Sequence, residues 1–378
     1  MASLDDLASL RGAASAALDD VRVLVVKIGT GVLTDGRGAI DRAVLGAIAA
    51  ELAGLAASRK VVVVSSGAIA LGREALGFGA RPKRMDHLQA CAAAGQGVLI
   101  RLWSEALAAH GKVAAQVLLT HADFADRQRY LNARGALEAL VSRGAIPVIN
   151  ENDTVSVEEI AFGDNDSLSA QVANLVGADA LVMLSVAPGL LDHDDARVRV
   201  VAAGDRSIDG LVRAETSSGG KGGMVTKLRA ARAANVAGAV AVIAPGREPA
   251  VLTRLFAGDD LGTVFLAERA PVSSRAHWIA HTLRPSGVVR VDEGARRALL
   301  ARKRSLLPSG VVAVSGRFRR GDPVDVTGPD GVVFARGLAA YDAEDLAMVR
   351  GRNSRELAEL LTDLHGEEAI HADDLVLL

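Results

Sequence analysis

The stretch Ile146-Pro-Val-Ile-Asn-Glu-Asn-Asp153 runs from an apolar, strand-like segment into a cluster of amides and carboxylates. A second polar cluster, Gly163-Asp-Asn-Asp166, opens a helical pattern of apolar residues, namely Leu168, Val172, Leu175 and Val176. Ligands of open α/β sheets bind at the carboxyl ends of strands. The two clusters hold three Asp, three Asn and a Glu, more than a turn and a helix cap require. We therefore predict a polar ligand site here.

Composition limits the class of protein. Half of the 378 residues are hydrophobic and only 3% are aromatic, which suits helices packed on a parallel sheet. The net charge of −2 gives no general attraction to nucleic acid or membrane. The single cysteine, Cys91, lies in an apolar run and is predicted to be buried and inert. No secretory signal or bilayer-length apolar run is evident, so a soluble cytoplasmic protein is expected.

Strand-like and helix-like segments alternate from Val21 to Ile243. This alternation predicts an αβα sandwich with a mostly parallel central sheet. After about Gly262 the helical periodicity fades, and short β-like runs separated by turns indicate a small β-rich C-terminal domain. The predicted organisation is a loosely attached N-terminal extension (1–20), a main domain (21–270), a linker (271–285) and the C-terminal domain (286–378).

Three predicted strand ends and one loop carry groups suited to anions. The strand ends are Lys27-Ile-Gly-Thr30, Ser65-Ser66-Gly67 and Asn152-Asp153, and the loop is Gly219-Gly-Lys-Gly-Gly-Met-Val-Thr-Lys227. Glycines let backbone N–H groups approach an anion, and a helix N-terminus adds positive charge. Lysines and such donors together suit phosphoryl transfer. Singly these signals are weak, and a merely flexible loop explains Gly219–Gly223 equally well.

Other common motifs are missing from the sequence. It contains no Gly-x-x-x-x-Gly-Lys-Ser/Thr loop and no Gly-x-Gly-x-x-Gly after a strand. It also contains no His-Glu-x-x-His or Cys-x-x-Cys pair, so no protein-bound metal is expected. The eight histidines form no evident catalytic group.

Several motifs in a fixed order resemble the glutamate 5-kinases of the amino-acid kinase family. They are Val25-Val-Lys27-Ile-Gly-Thr, Ser65-Ser66-Gly-Ala-Ile-Ala, Asn150-Glu-Asn-Asp153, Gly163-Asp164-Asn165-Asp166, Gly222-Gly-Met-x-Thr-Lys227 and, less prominently, Tyr130-Leu-Asn-Ala-Arg134. Near the C-terminus, Val291-Asp-Glu-Gly-Ala295, Ser305-Leu-Leu-Pro308 and Gly316–Asp322 resemble a PUA domain. The similarity extends from about residue 20 to the end, and the ordered set is far more specific than any one motif.

The resemblance implies an amino-acid kinase fold and ATP-dependent phosphorylation of the γ-carboxylate of L-glutamate to L-glutamyl 5-phosphate, the first step of proline biosynthesis. It implies that Mg²⁺ enters bound to ATP. By similarity, the catalytic residues are Lys27, Lys227 and Asp166. The implied glutamate-binding residues are Ser66, Asp153, Asn165 and Asp164. The implied nucleotide-binding residues are Lys27, Ser185, Lys221, Gly222, Gly223, Met224, Val225, Thr226 and Lys227. A γ-carboxylate with a pKa of about 4.3 is already ionised, so no general base is required.

The resemblance also implies partners. Relatives assemble as dimers or tetramers, proline acts on them as a feedback inhibitor, and hand-off of the labile product to a glutamyl phosphate reductase is expected. Two departures bear on affinity. Ser185-Val186 stands where the family has Thr-Asp or Ser-Asp, and Ala161 stands where many members carry a basic residue.

Two alternatives to a glutamate kinase are retained. One is a kinase of the same fold that phosphorylates an N-acylated amino acid. The other is an RNA-binding regulator with a degenerate kinase domain. For the C-terminal domain, the basic cluster Arg317, Arg319 and Arg320 suggests RNA, but nearby acidic residues and scarce aromatics favour a structural or regulatory use.

Overall fold

The computed structural model describes residues 4–36, 38–156, 165–211, 223–267, 279, 285–301, 304–352 and 368–378. The chain forms two compact units, Met1–Pro271 and Val272–Leu378. The predicted linker 271–285 lies largely outside the described residues, so the proposed domain limits remain a prediction.

The first unit contains an eight-stranded sheet with the order β3-β4-β2-β1-β5-β7-β8-β6. Its strands are β1 Val23–Ile28, β2 Lys60–Ser65, β3 Ala114–Leu119, β4 Ile146–Glu151, β5 Ala180–Ser185, β6 Val200–Val201, β7 Val240–Pro245 and β8 Thr263–Phe265. The pairing is parallel throughout except between β7 and β8. This confirms the predicted mostly parallel sheet. The strands β6 and β8 were not predicted, since two or three residues are too short to show a period.

Helices follow the strands as the alternation predicts. They are α1 Leu4–Asp19, α2 Thr30–Leu33, α3 Arg42–Leu55, α4 Ala68–Ala75, α5 Met85–Ala108, α6 His121–Ala125, α7 Arg127–Ser142, α8 Asn165–Leu175, α9 Met224–Val236 and α10 Val251–Phe256, with a 3-10 turn at Ser207–Leu211. The helices α6 and α7 are separated at Asp126, whose side chain accepts a hydrogen bond from the backbone N–H of Arg129 and starts α7.

Both faces of the sheet are covered because the strands are apolar on both sides. Alternate β1 residues, among them Leu24 and Val26, pack into one core cluster with residues of α3 and α5. The intervening residues Val25 and Lys27 are also buried, and Lys27 contacts α8 on the opposite face. Continuous burial of this kind is typical of central parallel strands.

The N-terminal extension differs from expectation. It forms helix α1, and Ala14 and Leu18 on one side of that helix are buried in the main core. These two residues are four positions apart, so they lie on the same helical face. A weakly amphipathic, alanine-rich helix therefore attaches through a narrow stripe that composition alone did not reveal.

The second unit contains a five-stranded sheet with the order β10-β9-β11-β12-β13. Its strands are β9 Gly287–Val291, β10 Val311–Gly316, β11 Pro323–Thr327, β12 Val333–Leu338 and β13 Leu375–Leu377. The strands β9, β10, β11 and β12 match the short β-like runs predicted after about Gly262. Helices α11 (Glu293–Ala301) and α12 (Ala343–Val349) and strand β13 were not predicted. In the part of the chain that the structure describes, no helix is long and apolar enough to cross a bilayer.

Candidate active site

The predicted site lies at the carboxyl edge of the first sheet, beside β1. Lys27 in β1 is paired in register with Val64 of β2 on one side and Met183 of β5 on the other. The chain passes from β4, on the β2 side of β1, across to β5 on its other side. This is a topological switch point, where open α/β sheets form their ligand crevice.

One carboxylate joins two lysines at this point. Asp166, in the first turn of α8, accepts a hydrogen bond from Lys27 Nζ at 2.5 Å through Oδ1. Its other oxygen, Oδ2, accepts from Lys227 Nζ at 3.0 Å and from the Thr226 hydroxyl at 2.7 Å. The three charged side chains are nearly excluded from solvent, with 8%, 1% and 9% exposure for Lys27, Asp166 and Lys227. Residues from three separate elements therefore converge on a single carboxylate.

The electrostatics keep Asp166 ionised. Burial by itself would raise the pKa of this carboxyl, but the ammonium groups of Lys27 and Lys227 outweigh burial and lower the pKa to about 2. Two cations and one anion leave a net positive charge in a buried place. The N-terminal turns of α8 and α9, which carry Asp166 and Lys227, add further positive potential. This arrangement suits a polyanion.

A chain of polar side chains runs from the end of β2 to the start of α8. Asn165 donates through Nδ2 to Ser66 Oγ at 2.7 Å and to Asn150 Oδ1 at 3.1 Å. Asn150 in turn donates through Nδ2 to Gln96 Oε1 at 2.9 Å. Gly67, with φ of +115°, follows Ser66 and begins α4 with a left-handed residue. The hydrogen bond from Asn165 holds the Ser66 hydroxyl just before this turn.

Two acceptors in this region have no hydrogen-bond partner among the described residues. They are Oδ1 of Asp153, which is 4% exposed, and Oδ1 of Asn165. Burial, followed by the nearby Glu151 carboxylate, raises the pKa of Asp153 to about 7, and Arg81 acts in the opposite direction. Buried acceptors without donors are costly. A donor group from a ligand would compensate each of them.

The predicted nucleotide side is described only in part. Ser185 ends β5, and its hydroxyl accepts a hydrogen bond from the backbone N–H of Ala187 at 3.3 Å. Val186 is 61% exposed there. Gly223, Met224, Val225 and Thr226 form the start of α9, directly before Lys227. The predicted residues Lys221, Gly222 and Asp164, together with Ala161, lie outside the described residues.

The model of the amino acid kinase family matches residues 22–244, and the PUA domain model matches residues 287–361. The chain belongs to the amino acid kinase family.

Two relatives that match nearly the whole chain are glutamate 5-kinases. The chain is 48% identical over 368 residues to a glutamate 5-kinase from Myxococcus xanthus, covering 96% of this chain and 98% of the relative. It is 46% identical over 371 residues to a glutamate 5-kinase from Geobacter sulfurreducens, covering 96% and 100%. These matches place the chain among the glutamate 5-kinases and confirm the resemblance seen in its motifs.

Among solved structures, the chain resembles N-acetylglutamate synthase from Neisseria gonorrhoeae complexed with coenzyme A and N-acetyl-glutamate. The TM-score is 0.50 at 18% identity, and the match covers 71% of this chain and 65% of the synthase. This similarity shows the fold alone, and it agrees with the amino acid kinase architecture of the first unit.

Sequence reasoning missed several residues of this amino acid kinase site. No role is predicted from the sequence for Gln96 or Arg81, and Asn150 is included only as part of a polar cluster. Gln96 did carry a signal, because an amide between two glycines in an alanine-rich helix is unusual. Its partner Asn150 is 54 residues away, so the contact depends on the fold.

Proposed function

We propose that this amino acid kinase transfers the γ-phosphoryl group of ATP to the γ-carboxylate of L-glutamate and forms L-glutamyl 5-phosphate. The relationship to two glutamate 5-kinases over 96% of the chain supports the reaction. The structural observation that carries the proposal is Asp166 holding Lys27 and Lys227 together in one buried site. The enzyme thus acts in the first step of proline biosynthesis.

In the proposed reaction a γ-carboxylate oxygen attacks the terminal phosphorus of ATP. The bond from that phosphorus to the bridging oxygen breaks, and ADP leaves with the electron pair. The acceptor is already an anion at neutral pH, so no proton has to be removed. The difficulty is the repulsion between two anions. The ammonium groups of Lys27 and Lys227 reduce it and stabilise the charge that develops on the phosphoryl oxygens.

Asp166 has a positioning role in this proposal. With a pKa of about 2 it cannot accept a proton usefully at neutral pH. Its two oxygens instead bind one lysine each, which fixes the separation of the two ammonium groups. A site that is organised before substrate arrives avoids reorganisation during the reaction.

Glutamate is proposed to bind between the ends of β2 and β4 and the start of α8. The Asp153 carboxylate, buried and lacking a donor at Oδ1 among the described residues, suits the α-ammonium group. Asn165 and Ser66 complete the pocket, and Asp164 is assigned to the same region from the motif alone. A free ammonium therefore explains Asp153 better than an N-acylated substrate does, since a neutral amide would leave the carboxylate uncompensated.

The nucleotide is proposed to bind along the start of α9. Gly223, Met224, Val225 and Thr226 lie in its first turn, with Ser185 at the end of β5 and Lys221 and Gly222 assigned from the motif. Mg²⁺ is proposed to enter on the ATP phosphate oxygens, which it prefers. No cluster of His, Cys, Asp or Glu within the described ranges could hold a metal, and no step is assigned to the ion.

Further properties are proposed from the same relationship. They are assembly into a homo-oligomer, a dimer or a tetramer, inhibition by proline, and hand-off of the product to a glutamyl phosphate reductase. A structural or regulatory role is proposed for the PUA domain. The alternative of an RNA-binding regulator requires loss of the kinase site, and the contacts of Lys27, Asp166 and Lys227 speak against such a loss.

Acyl phosphate formation tests the proposal. Purified protein is incubated with ATP, Mg²⁺, hydroxylamine and either L-glutamate or N-acetylglutamate. The expected result is γ-glutamyl hydroxamate formed with glutamate and far less product with the acetylated compound. Preference for N-acetylglutamate would support the other acid kinase. Salt-sensitive RNA binding without turnover of ATP would support the regulator.

A further inference from the structure

Gln96 lies on α5 and hydrogen-bonds to Asn150, which in turn contacts Asn165 of the proposed glutamate pocket. Its carbonyl oxygen Oε1 accepts a hydrogen bond from Asn150 Nδ2 at 2.9 Å. Neither the family motifs nor the mechanism proposed above assigns a role to this glutamine. Its effect on the pocket follows from what the bond does to the side chains beyond Asn150.

The side-chain amides of Asn165, Asn150 and Gln96 form a row in which each hydrogen bond is donated in the same direction, from Asn165 toward Gln96. Because the Nδ2 group of Asn150 is used by Gln96, its Oδ1 faces Asn165 and accepts from Asn165 Nδ2 at 3.1 Å. The same Nδ2 also donates to Ser66 Oγ at 2.7 Å. Both donors of the Asn165 amide are therefore engaged, and its Oδ1 is left as a buried acceptor with no donor among the described residues.

The helix that carries Gln96 is fixed tightly to the element that follows Ser66. A Cβ atom on Gly95 would lie 1.8 Å from the carbonyl oxygen of Ala68, at the start of α4. A Cβ atom on Gly72 would lie 1.7 Å from the carbonyl oxygen of Cys91. The backbones of α4 and α5 thus touch at both places. Gln96 follows Gly95 directly, so its position relative to Ser66 is closely determined.

We propose that Gln96 is a positioning residue that sets the orientation of the Asn165 amide for the substrate ammonium group. The proposal rests on the proposed binding of glutamate. Without an acceptor at position 96, the Asn150 amide can rotate and present its Nδ2 to Asn165. Asn165 then turns its Oδ1 toward Asn150 and its NH₂ group toward the pocket. A donor facing an ammonium group is repulsive, so glutamate binds more weakly.

Two substitutions of similar size separate this role from simple packing. Gln96→Met removes the acceptor, whereas Gln96→Glu keeps an oxygen that can accept from Asn150. We expect Gln96→Met to raise the KM for glutamate by about tenfold or more, since a hydrogen bond to a charged group is lost. The KM for ATP should stay unchanged, and Gln96→Glu should remain within about threefold of the wild type for both substrates.

A second pair of variants tests the direction of the row and covers the case in which Gln96→Met fails to fold. Gln96→Lys places a donor opposite Asn150 and should raise the KM for glutamate. Adding Asn150→Asp gives the lysine an acceptor and still lets position 150 accept from Asn165, so the KM should fall again. A double variant with a KM no lower than that of Gln96→Lys would overturn the proposal.

Glutamate-dependent thermal stabilisation gives a readout without turnover. It should be reduced in Gln96→Met and kept in Gln96→Glu. If the wild type is active and Gln96→Met has the same KM for glutamate and the same stabilisation, the proposed role of Gln96 is contradicted but the proposed function is not. A wild type that neither binds nor phosphorylates glutamate contradicts the proposed function instead.

Discussion

The Asp153 carboxyl gives the enzyme a predicted pH dependence in glutamate binding. Burial and the neighbouring Glu151 raise the pKa of Asp153 to about 7 in the free protein. The α-ammonium group of glutamate needs the ionised form. Binding is therefore expected to weaken as pH falls below 7, because a proton must leave Asp153 before the ion pair forms.

The size of the effect follows from the pKa. A group with a pKa of about 7 is about nine-tenths ionised at pH 8 and about one-tenth ionised at pH 6. The dissociation constant for glutamate should therefore rise about tenfold between these two values. At pH 7 each binding event should release about half a proton. Glutamate itself does not titrate in this range, since its γ-carboxyl has a pKa of about 4.3.

Calorimetry without nucleotide isolates the effect, because the phosphates of ATP are then absent. Titrations in buffers of different ionisation enthalpy report the number of protons released, and a pH series reports the dissociation constant. The control is Asp153→Asn, which has nearly the same shape but cannot ionise. It should bind weakly at every pH and release no proton. A dissociation constant independent of pH in the wild type, with no proton release, would refute the reasoning.

Four further results are expected. In steady-state assays, Lys227→Ala should lower kcat by at least about 10²-fold and leave the KM for glutamate nearly unchanged. A raised KM with an unchanged kcat would contradict the proposed role of Lys227 in phosphoryl transfer. Asp166→Asn should lower the unfolding free energy by about 3 kcal/mol at pH 7, as measured in denaturant titrations, because it removes the ion pairs with the two buried lysines. These ion pairs lower the pKa of Asp166 to about 2, so their contribution to stability is fully present at pH 7 and is lost only as pH falls through about 2. Asp153→Asn should raise the melting temperature of the free protein at pH 8 and by about a third as much at pH 5, because Asn avoids the ionisation of a carboxyl whose pKa is raised to about 7. That ionisation costs about 4 kcal/mol at pH 8, about 1.5 kcal/mol at pH 5 and little below the usual carboxyl pKa of about 4. Gly95→Ala should lower the unfolding free energy by about 1–3 kcal/mol or more. Gly97 has open space around it, so Gly97→Ala should raise the unfolding free energy by about 0.5–1 kcal/mol. Equal effects of the two substitutions would refute the close backbone contact between α4 and α5.

The sequence predicts the edge of the sheet where the site lies because the valine-rich strands are short, apolar and followed at once by polar residues. Lys27, Ser66 and Asp153 each come at or just after such a strand end, so parallel pairing alone brings them to the same edge. The order of these motifs also identifies the family. Local pattern and topology are sufficient for this much.

Contacts between distant segments could not be predicted in the same way. The glycine at position 95 looks like a weak point of a helix, because the local penalty of glycine is visible in sequence. Its reason is the backbone of Ala68 in another helix, which is not visible. The burial of Lys27 was likewise hidden. A lysine at a strand end is usually solvated, and its buried partner Asp166 is 139 residues away.

The most direct test of the account is a crystal structure with Mg²⁺, ADP, glutamate and tetrafluoroaluminate, a mimic of the phosphoryl group in transfer. The prediction is that Nζ of Lys27 and Nζ of Lys227 both lie within about 3 Å of the mimic while Asp166 still contacts both lysines. A mimic bound with either lysine turned away from it, or bound in a different crevice, would contradict the central claim.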